Sequence, residues 1–198
     1  MSLHPGGKKA TEELLAFADF DAGAKILDAG CGVGETVRYL RAQGYDAVGI
    51  DKAISSEEAF IYQGDITALP FADNSFDAVL CECVLSICGE TMLALKEFAR
   101  VLKPLGKLIA ADVYIIGNEK QKVLQIERYS GQGWEKMLRE AGFSLLKKEE
   151  RTAWMREHYL QALWQGTDLK EKWGWDENYR AQGYQTGYML WWAQKTEG

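Results

Sequence analysis

Residues 25–35 read Lys-Ile-Leu-Asp-Ala-Gly-Cys-Gly-Val-Gly-Glu, and this stretch decides the fold. An apolar run ends in Asp28, glycines follow at every second position, and a helical pattern begins at Glu35. The pattern predicts a strand, a tight turn and a helix N-terminus, where a ligand can lie directly against the backbone. A dinucleotide turn of the Gly-x-Gly-x-x-Gly type needs a glycine at position 35, where the Glu35 carboxylate would repel phosphate. The acid-flanked turn instead suits a cationic ligand without phosphates.

The run Asp28-Ala29-Gly30-Cys31-Gly32-Val33-Gly34 resembles the first motif of class I S-adenosylmethionine-dependent methyltransferases. The resemblance implies an α/β fold, a Rossmann-like three-layer αβα sandwich whose seven-stranded sheet is mostly parallel with an antiparallel last strand. It implies S-adenosyl-L-methionine as cofactor, which carries a positive sulfonium and a positive ammonium. The matching motifs run in order from Ile26 to Val113, and the chain is most similar to the branch of quinone-biosynthesis and arsenite methyltransferases.

Acids at the ends of later predicted strands extend the resemblance. Asp51 follows Asp28 by 23 positions, and a carboxylate there can grip both ribose hydroxyls. Asp65 and Ile66 match the family's adenine site, where the carboxylate accepts from the exocyclic amine and the next residue packs on the ring. The implied cofactor-binding residues are Asp28, Gly30, Cys31, Gly32, Asp51, Lys52, Asp65, Ile66, Cys81 and Glu82, of which the last two lie at the methionine end.

The hydrophobic patterns beyond the glycine turn predict five alternating strands and helices, and therefore a parallel sheet covered on both faces. Thr11 is predicted to cap an N-terminal helix, and Val33 is predicted to pack with the apolar side of the next helix. Residues 187–195 are predicted as an antiparallel edge strand. The whole chain, 1–198, is predicted as one domain, with a lid-like segment at 1–20 and an aromatic insert at 150–185. That insert is either a substrate pocket or, together with Trp191 and Trp192, part of the core or of a homodimer interface.

Composition narrows the classes of partner. The chain has 198 residues, 47% of them hydrophobic, and a net charge of −6. It contains no basic run of the kind that binds nucleic acid, and no apolar run of membrane-spanning length or signal-peptide character. We therefore expect a cytoplasmic protein that acts on a small molecule. The four cysteines are expected to be reduced, because three of them crowd into eight positions.

The sequence leaves the catalytic residues unknown. A neutral oxygen or carbon acceptor would need a base, and the candidates are the tyrosines and four other side chains, namely His4, Glu82, His158 and Asp112. Cys31, Cys81 and Cys83 are expected to converge beside the transferred methyl group. They are either small buried residues or thiolates for a soft substrate such as arsenite. Their spacing matches no zinc knuckle, so no metal is expected.

Two rival functions remain at this point. A non-catalytic module that binds S-adenosylmethionine or S-adenosylhomocysteine, as a sensor or an assembly partner, is compatible with the few acid–base residues. An NAD-dependent dehydrogenase is disfavoured by Glu35.

Overall fold

A computed structural model of the chain describes residues 4–54, 58–116, 130–164 and 185–197. Strands and helices alternate through most of this length. The strands are β1 Lys25–Ala29, β2 Asp46–Asp51, β3 Ile61–Gln63, β4 Phe76–Glu82, β5 Leu102–Ile116, β6 Phe143–Glu150 and β7 Gln185–Lys195. The helices are α1 Lys8–Ala18, α2 Glu35–Ala42, α3 Thr91–Val101, α4 Gly131–Glu140 and α5 Thr152–Trp164.

The seven strands form one sheet in the order β3-β2-β1-β4-β5-β7-β6. Strands β1 to β5 pair in parallel, and β7 runs antiparallel to both β5 and β6. The central strands β1 and β4 are almost continuously buried, as expected of parallel strands covered on both faces. The predicted Rossmann-like sheet with an antiparallel last strand is therefore confirmed.

Two apolar clusters, one on each face of the sheet, form the outer layers of the sandwich. The first contains Phe98 of α3 and Trp134 of α4, packed on Leu27 and Val79. The second contains side chains of α1 and α2 packed on the opposite face of β1, β4 and β5. Asp28 lies on this second face, which α1 covers. Its partner in the neighbouring strand, Leu80, belongs to the second cluster.

The prediction that the last strand lies at the edge of the sheet is wrong. Strand β7 hydrogen-bonds to a neighbour on each side, and the edge position belongs to β6. Its side chains Leu190, Trp191 and Trp192 are all buried. An apolar strand of this kind gains more from burial on both faces than from an edge position. The two tryptophans therefore belong to the core of the chain itself.

The prediction that Thr11 caps the first helix is also wrong. Helix α1 already begins at Lys8 after Gly7, and Thr11 lies one turn inside it with a buried side chain. Its hydroxyl donates to the carboxylate of Glu82, 71 residues further along the chain. A hydroxyl committed to that long-range contact cannot also cap the N-terminus of its own helix.

The predicted aromatic insert begins as helix α5, which packs against β7. Trp164, at the end of α5, is 92% exposed, whereas residues 165–184 of the insert, with Trp173, Trp175, Tyr179 and Tyr184, lie outside the described residues. The homodimer through this region stays a prediction. Across the described parts of the chain, the structure contains no helix that combines the length and the apolar character needed to span a lipid bilayer.

Candidate functional site

A cavity of about 520 Å³ opens at the carboxyl ends of β1, β2 and β4. Its walls come from the β1–α2 loop, from the loop after β4 and from the N-terminal segment with α1. In a parallel sheet this edge is where ligands bind. The lining includes six of the ten predicted cofactor-binding residues, namely Asp28, Gly30, Cys31, Gly32, Asp51 and Glu82.

The glycine turn is shaped so that backbone faces the cavity. Gly30 has φ of 87°, in the left-handed region, and a Cβ atom there would stand 2.2 Å from Cγ2 of Val84. Only glycine satisfies both conditions. The amides of Gly30 and Cys31 donate to the carbonyl of Ile50 at 2.8 and 3.1 Å, which fixes the turn against the end of β2.

Asp51 ties the end of β2 to the same turn. Its Oδ2 accepts from the Gly32 amide at 3.0 Å, and its Oδ1 accepts from the Ala53 amide at 2.9 Å. Each carboxylate oxygen has a second lone pair, so both can accept a further hydrogen bond from a ligand. The structure therefore brings Asp51 to the cavity in an orientation that is compatible with the predicted ribose grip.

Asp28 and Glu82 lie at the inner end of the cavity. Asp28 is 4% exposed, and among the described residues its Oδ2 has no hydrogen-bond partner. The Glu82 side chain is 6% exposed and accepts from the Thr11 hydroxyl at 3.0 and 3.3 Å. His4 Nε2 lies 3.7 Å from its Oε2. Two buried carboxyls therefore face one cavity.

The environment of both carboxyls disfavours ionisation. Burial raises the pKa of Asp28 well above its usual range, and the negative charges of Glu82 and Asp51 raise it further. Burial also raises the pKa of Glu82 to about 8, although the hydrogen bond from Thr11 acts in the opposite direction. Low-dielectric surroundings and like charges each favour the neutral carboxyl, and a cation in the cavity would reverse that preference.

Four predicted cofactor-binding residues do not line this cavity. Lys52 and Asp65 form an ion pair beside it, with Nζ and Oδ2 2.9 Å apart. The pKa of Asp65 lies below its usual range because its carboxylate accepts from the Thr67 amide and from Lys52. Ile66 is 6% exposed within the first core cluster, and the side chain of Cys81 is buried in the same cluster.

The three thiols do not converge as predicted. Cys31 and Cys83 line the cavity, whereas Cys81 points to the opposite face of the sheet. Strict alternation along a strand would put Cys81 and Cys83 on one face, but Cys83 has φ of 58° and turns its side chain away from that pattern. In the described part of the chain, no three His, Cys, Asp or Glu side chains lie together in a way that could hold a metal ion.

Sequence reasoning missed several residues of the site. Thr11 and Val84 both line the cavity, and nothing in the local sequence indicates that Thr11 meets Glu82. Val33, expected in the core, is 49% exposed at the cavity rim. It precedes the first residue of α2, so the helical spacing that suggested a buried position does not apply to it.

The donor set fits the cofactor that the resemblance implies. Four carboxyls and a backbone turn line the cavity, and the buried Oδ2 of Asp28 is still free to accept a hydrogen bond. A diphosphate would meet repulsion from these acids, whereas a sulfonium or an ammonium would offset their charge. The chemistry of the site therefore agrees with a positively charged ligand.

Comparisons with known proteins identify the family of this chain. Residues 27–110 match a family model described as a methyltransferase domain. The uncharacterized methyltransferase YodH of Bacillus subtilis is 34% identical over 160 residues, which cover 71% of this chain and 68% of YodH. The malonyl-[acyl-carrier protein] O-methyltransferase of Erwinia billingiae is 39% identical over 106 residues, 50% of this chain and 42% of that protein.

A solved structure shows the same fold. Phosphoethanolamine N-methyltransferase 2 of Haemonchus contortus, in complex with S-adenosyl-L-methionine, superposes with a TM-score of 0.70 at 20% identity. The match covers 98% of this chain and 54% of that protein. The motif, the fold, the acid-lined cavity and these relatives lead to one assignment. This chain belongs to the class I S-adenosylmethionine-dependent methyltransferases, and S-adenosylmethionine is its cofactor.

Proposed function

We propose that this protein transfers a methyl group from S-adenosylmethionine to a small-molecule acceptor. The observation that carries the proposal is the acid-lined cavity at the glycine turn, where Asp28 and Glu82 are buried and face a space of about 520 Å³. Proteins similar to this chain include methyltransferases named for acceptors as different as malonyl-[acyl-carrier protein] and phosphoethanolamine. The likeness to them therefore supports the reaction and leaves the acceptor open.

In this proposal, the turn and the two strand ends beside it hold most of the cofactor. The cofactor lies against the backbone of Gly30 and Gly32, and the left-handed φ angles at both positions support this. Asp28 orders the turn, and Asp51 accepts from the ribose hydroxyls while it keeps its bond to the Gly32 amide. A carboxylate that is already fixed by two backbone amides loses little conformational freedom when it binds.

The two ends of the cofactor are assigned in the same way. Asp65 and Ile66, with Lys52 beside them, would hold the adenine, since the Lys52–Asp65 ion pair lies next to the end of β2. Glu82 and Cys81 would meet the methionine end. For Cys81 this contact would come from the backbone, because its side chain is 1% exposed in the core.

When bound, S-adenosylmethionine supplies a methyl group that is activated by a sulfonium leaving group. The task of the protein is then to align the acceptor and exclude water, and alignment of this kind is worth roughly 7–11 kcal/mol of the barrier. Helix α1 covers the cavity through the contact of Thr11 with Glu82, which supports the lid-like role expected of residues 1–20.

The ribose assignment is tested by calorimetry with S-adenosylhomocysteine. We expect Asp51→Ala to weaken binding by about 10- to 100-fold, because hydrogen bonds to a charged group are worth roughly 1.5–3 kcal/mol. Asp46→Ala is the matched control, since Asp46 lies at the other end of β2 and its side chain is 58% exposed. If the Asp51→Ala variant binds as tightly as the control, the ribose assignment is wrong.

Methyl transfer itself is tested with cofactor labelled in the methyl group and a panel of thiols, arsenite, phenols and quinone precursors. Labelled product with any acceptor supports an enzyme and removes the alternative of a pure binding module. The weaker cofactor binding expected of Asp51→Ala should then lower the amount of labelled product formed with that same acceptor when the cofactor is not saturating.

A further inference from the structure

The carboxyls of Asp28 and Glu82 form a pair across two neighbouring strands. Asp28 pairs in register with Leu80 of the parallel strand β4, and Glu82, two positions further, faces the same side of the sheet. Both side chains are more than nine-tenths buried, and both line the cavity. The Oδ2 atom of Asp28 has no hydrogen-bond partner among the described residues, so the pair presents an unused acceptor to a ligand.

Few charges in the surroundings balance this pair. Within the described residues, the ion-pair contacts of these two carboxyls consist of His4 Nε2 at 3.7 Å from Glu82. Lys8 lines the same cavity but pairs with Glu12. Among the described residues, the other titratable groups that line the cavity are neutral or acidic, namely Cys31, Glu35, Tyr39, Asp51 and Cys83. Tyr188 also interacts with Glu82. The local charge is therefore negative whenever both carboxyls ionise.

Two buried carboxyls in this situation titrate as a coupled pair. Burial and like charge both favour a bound proton, and the directions of the Asp28 and Glu82 pKa shifts agree with that. A cation in the cavity lowers the cost of ionisation, because its charge offsets the carboxylate in a low-dielectric site. Binding of a cation is then linked to release of the proton.

We propose that Asp28 and Glu82 form a proton-linked charge sensor that distinguishes the cationic methyl donor from its neutral-thioether product. The pair holds a proton while the cavity contains no sulfonium, and the proton passes from a carboxyl oxygen to bulk water when the sulfonium enters. His4, beside Oε2 of Glu82, lies next to this route. After methyl transfer the sulfonium charge is gone, the proton returns to the pair, and the product is held less tightly. The inference rests on the cofactor site proposed above.

The sensor predicts a difference between two ligands that share every other group. Both S-adenosylmethionine and S-adenosylhomocysteine carry the ammonium and the carboxylate, and only the former carries the sulfonium. If one proton is linked to that charge, the affinity ratio of donor to product rises by up to about tenfold per pH unit. The rise ends as pH passes the value at which the pair ionises without a ligand.

The test is isothermal titration calorimetry of both ligands between pH 5.5 and 7.5, in two buffers that differ in ionisation enthalpy. For the wild-type protein at pH 7, we expect about one more proton released with S-adenosylmethionine than with S-adenosylhomocysteine. Glu82→Gln should remove most of that difference and flatten the affinity ratio. Titration of the ligands' own amino groups is the same for both proteins, so it cancels in this comparison. Sinefungin, in which a carbon that bears a protonated amine replaces the methylated sulfur, should behave like the donor.

Two further variants separate the sensor from a general effect of substitution. Glu90→Gln changes an exposed glutamate beyond the same strand and should leave the proton count unchanged. Thr11→Val keeps the volume but removes the hydrogen bond that favours ionised Glu82, so it should move the rise of the affinity ratio to higher pH. This second variant also tests the sensor if Glu82→Gln does not fold.

Each outcome decides between the two proposals. Equal proton release for donor and product in the wild-type protein overturns the sensor and leaves the cofactor site intact. An unchanged proton count in Glu82→Gln does the same. Binding of neither ligand overturns the cofactor site and the sensor together.

Discussion

The two ends of the candidate cofactor site use the same type of side chain under opposite conditions. At the inner end, Asp28 and Glu82 are buried, and their pKa values are raised. At the outer end, Asp65 lies in an exposed ion pair with Lys52, and its pKa is lowered. Burial dominates at the first end, and hydrogen bonds and a nearby ammonium dominate at the second.

The difference assigns a distinct physical task to each end. A carboxylate that is already solvated and paired at the outer end gains little from a further charge, so it is suited to recognise a pattern of donors and acceptors. The buried pair at the inner end gains much from a cation, because no lysine or arginine of the described residues pairs with it. The inner end therefore recognises charge, and the outer end recognises shape and hydrogen bonding.

The largest expected effect is on how the free energy of unfolding depends on pH, because Glu82 at the inner end is buried. The pKa of Glu82 is about 8 in the folded protein, whereas its ordinary value is 4.5. Between those two pH values, Glu82 therefore binds more protons in the folded state than in the unfolded state. The free energy of unfolding therefore falls as pH rises from 4.5 to 8, by up to about 5 kcal/mol. Glu82→Gln removes this loss, so the variant should be more stable than wild type at pH 8 and nearly equal to it at pH 4.5.

Urea unfolding of the ligand-free protein at several pH values measures this difference. Glu90→Gln serves as the control, since its exposed carboxyl should not change the slope of stability with pH. If the stability of the wild-type protein does not fall relative to that of Glu82→Gln between pH 5 and 8, Glu82 does not bind a proton in the folded state as described.

The second effect concerns the turn that separates the two ends. Gly30→Ala should lower the free energy of unfolding by about 2–4 kcal/mol, because the new Cβ would meet Val84 at 2.2 Å in a left-handed conformation. Gly23→Ala is a matched control: Gly23 also has a positive φ, but no atom lies within 4 Å of its Cβ position. The difference between the two variants in thermal or urea unfolding isolates the steric contact.

The affinity for S-adenosylhomocysteine should also fall more in Gly30→Ala than in Gly23→Ala. Gly30→Ala displaces Val84 from the cavity wall and should reduce affinity for S-adenosylhomocysteine, whereas Gly23→Ala should not. Equal losses in both variants would show that backbone strain alone, without the approach to Val84, accounts for the need for glycine at position 30.

Sequence predicts the features of this fold that depend on neighbouring residues. The strand, turn and helix of residues 25–35 are all present, because the glycines, the apolar run and Asp28 act within a few positions of one another. The acid at the end of β2 also lies at the cavity, since the carboxyl ends of parallel strands share one edge of the sheet.

Features that depend on distant contacts could not be predicted in this way. The contact of Thr11 with Glu82 joins residues 71 positions apart, and the interior position of β7 follows from its pairing with both β5 and β6. The orientation of Cys83 depends on one positive φ angle, which no local pattern indicates for a cysteine. The sequence therefore predicts which residues form the inner end of the site, but not which side chains contact them.

The smallest expected effect concerns the outer end. Lys52→Met removes the ammonium 2.9 Å from Asp65, but the two side chains are 65% and 36% exposed, so water and salt already screen the pair. Asp65 also keeps its hydrogen bond from the Thr67 amide. We expect an unfolding midpoint close to that of wild type and a change in S-adenosylhomocysteine affinity below about threefold.

Lys103→Met, which breaks the exposed pair with Asp77 near the opposite end of the sheet, is the control for loss of a surface charge. A tenfold loss of affinity in Lys52→Met alone would mean that Lys52 binds the ligand directly, and the outer end would then recognise charge as well.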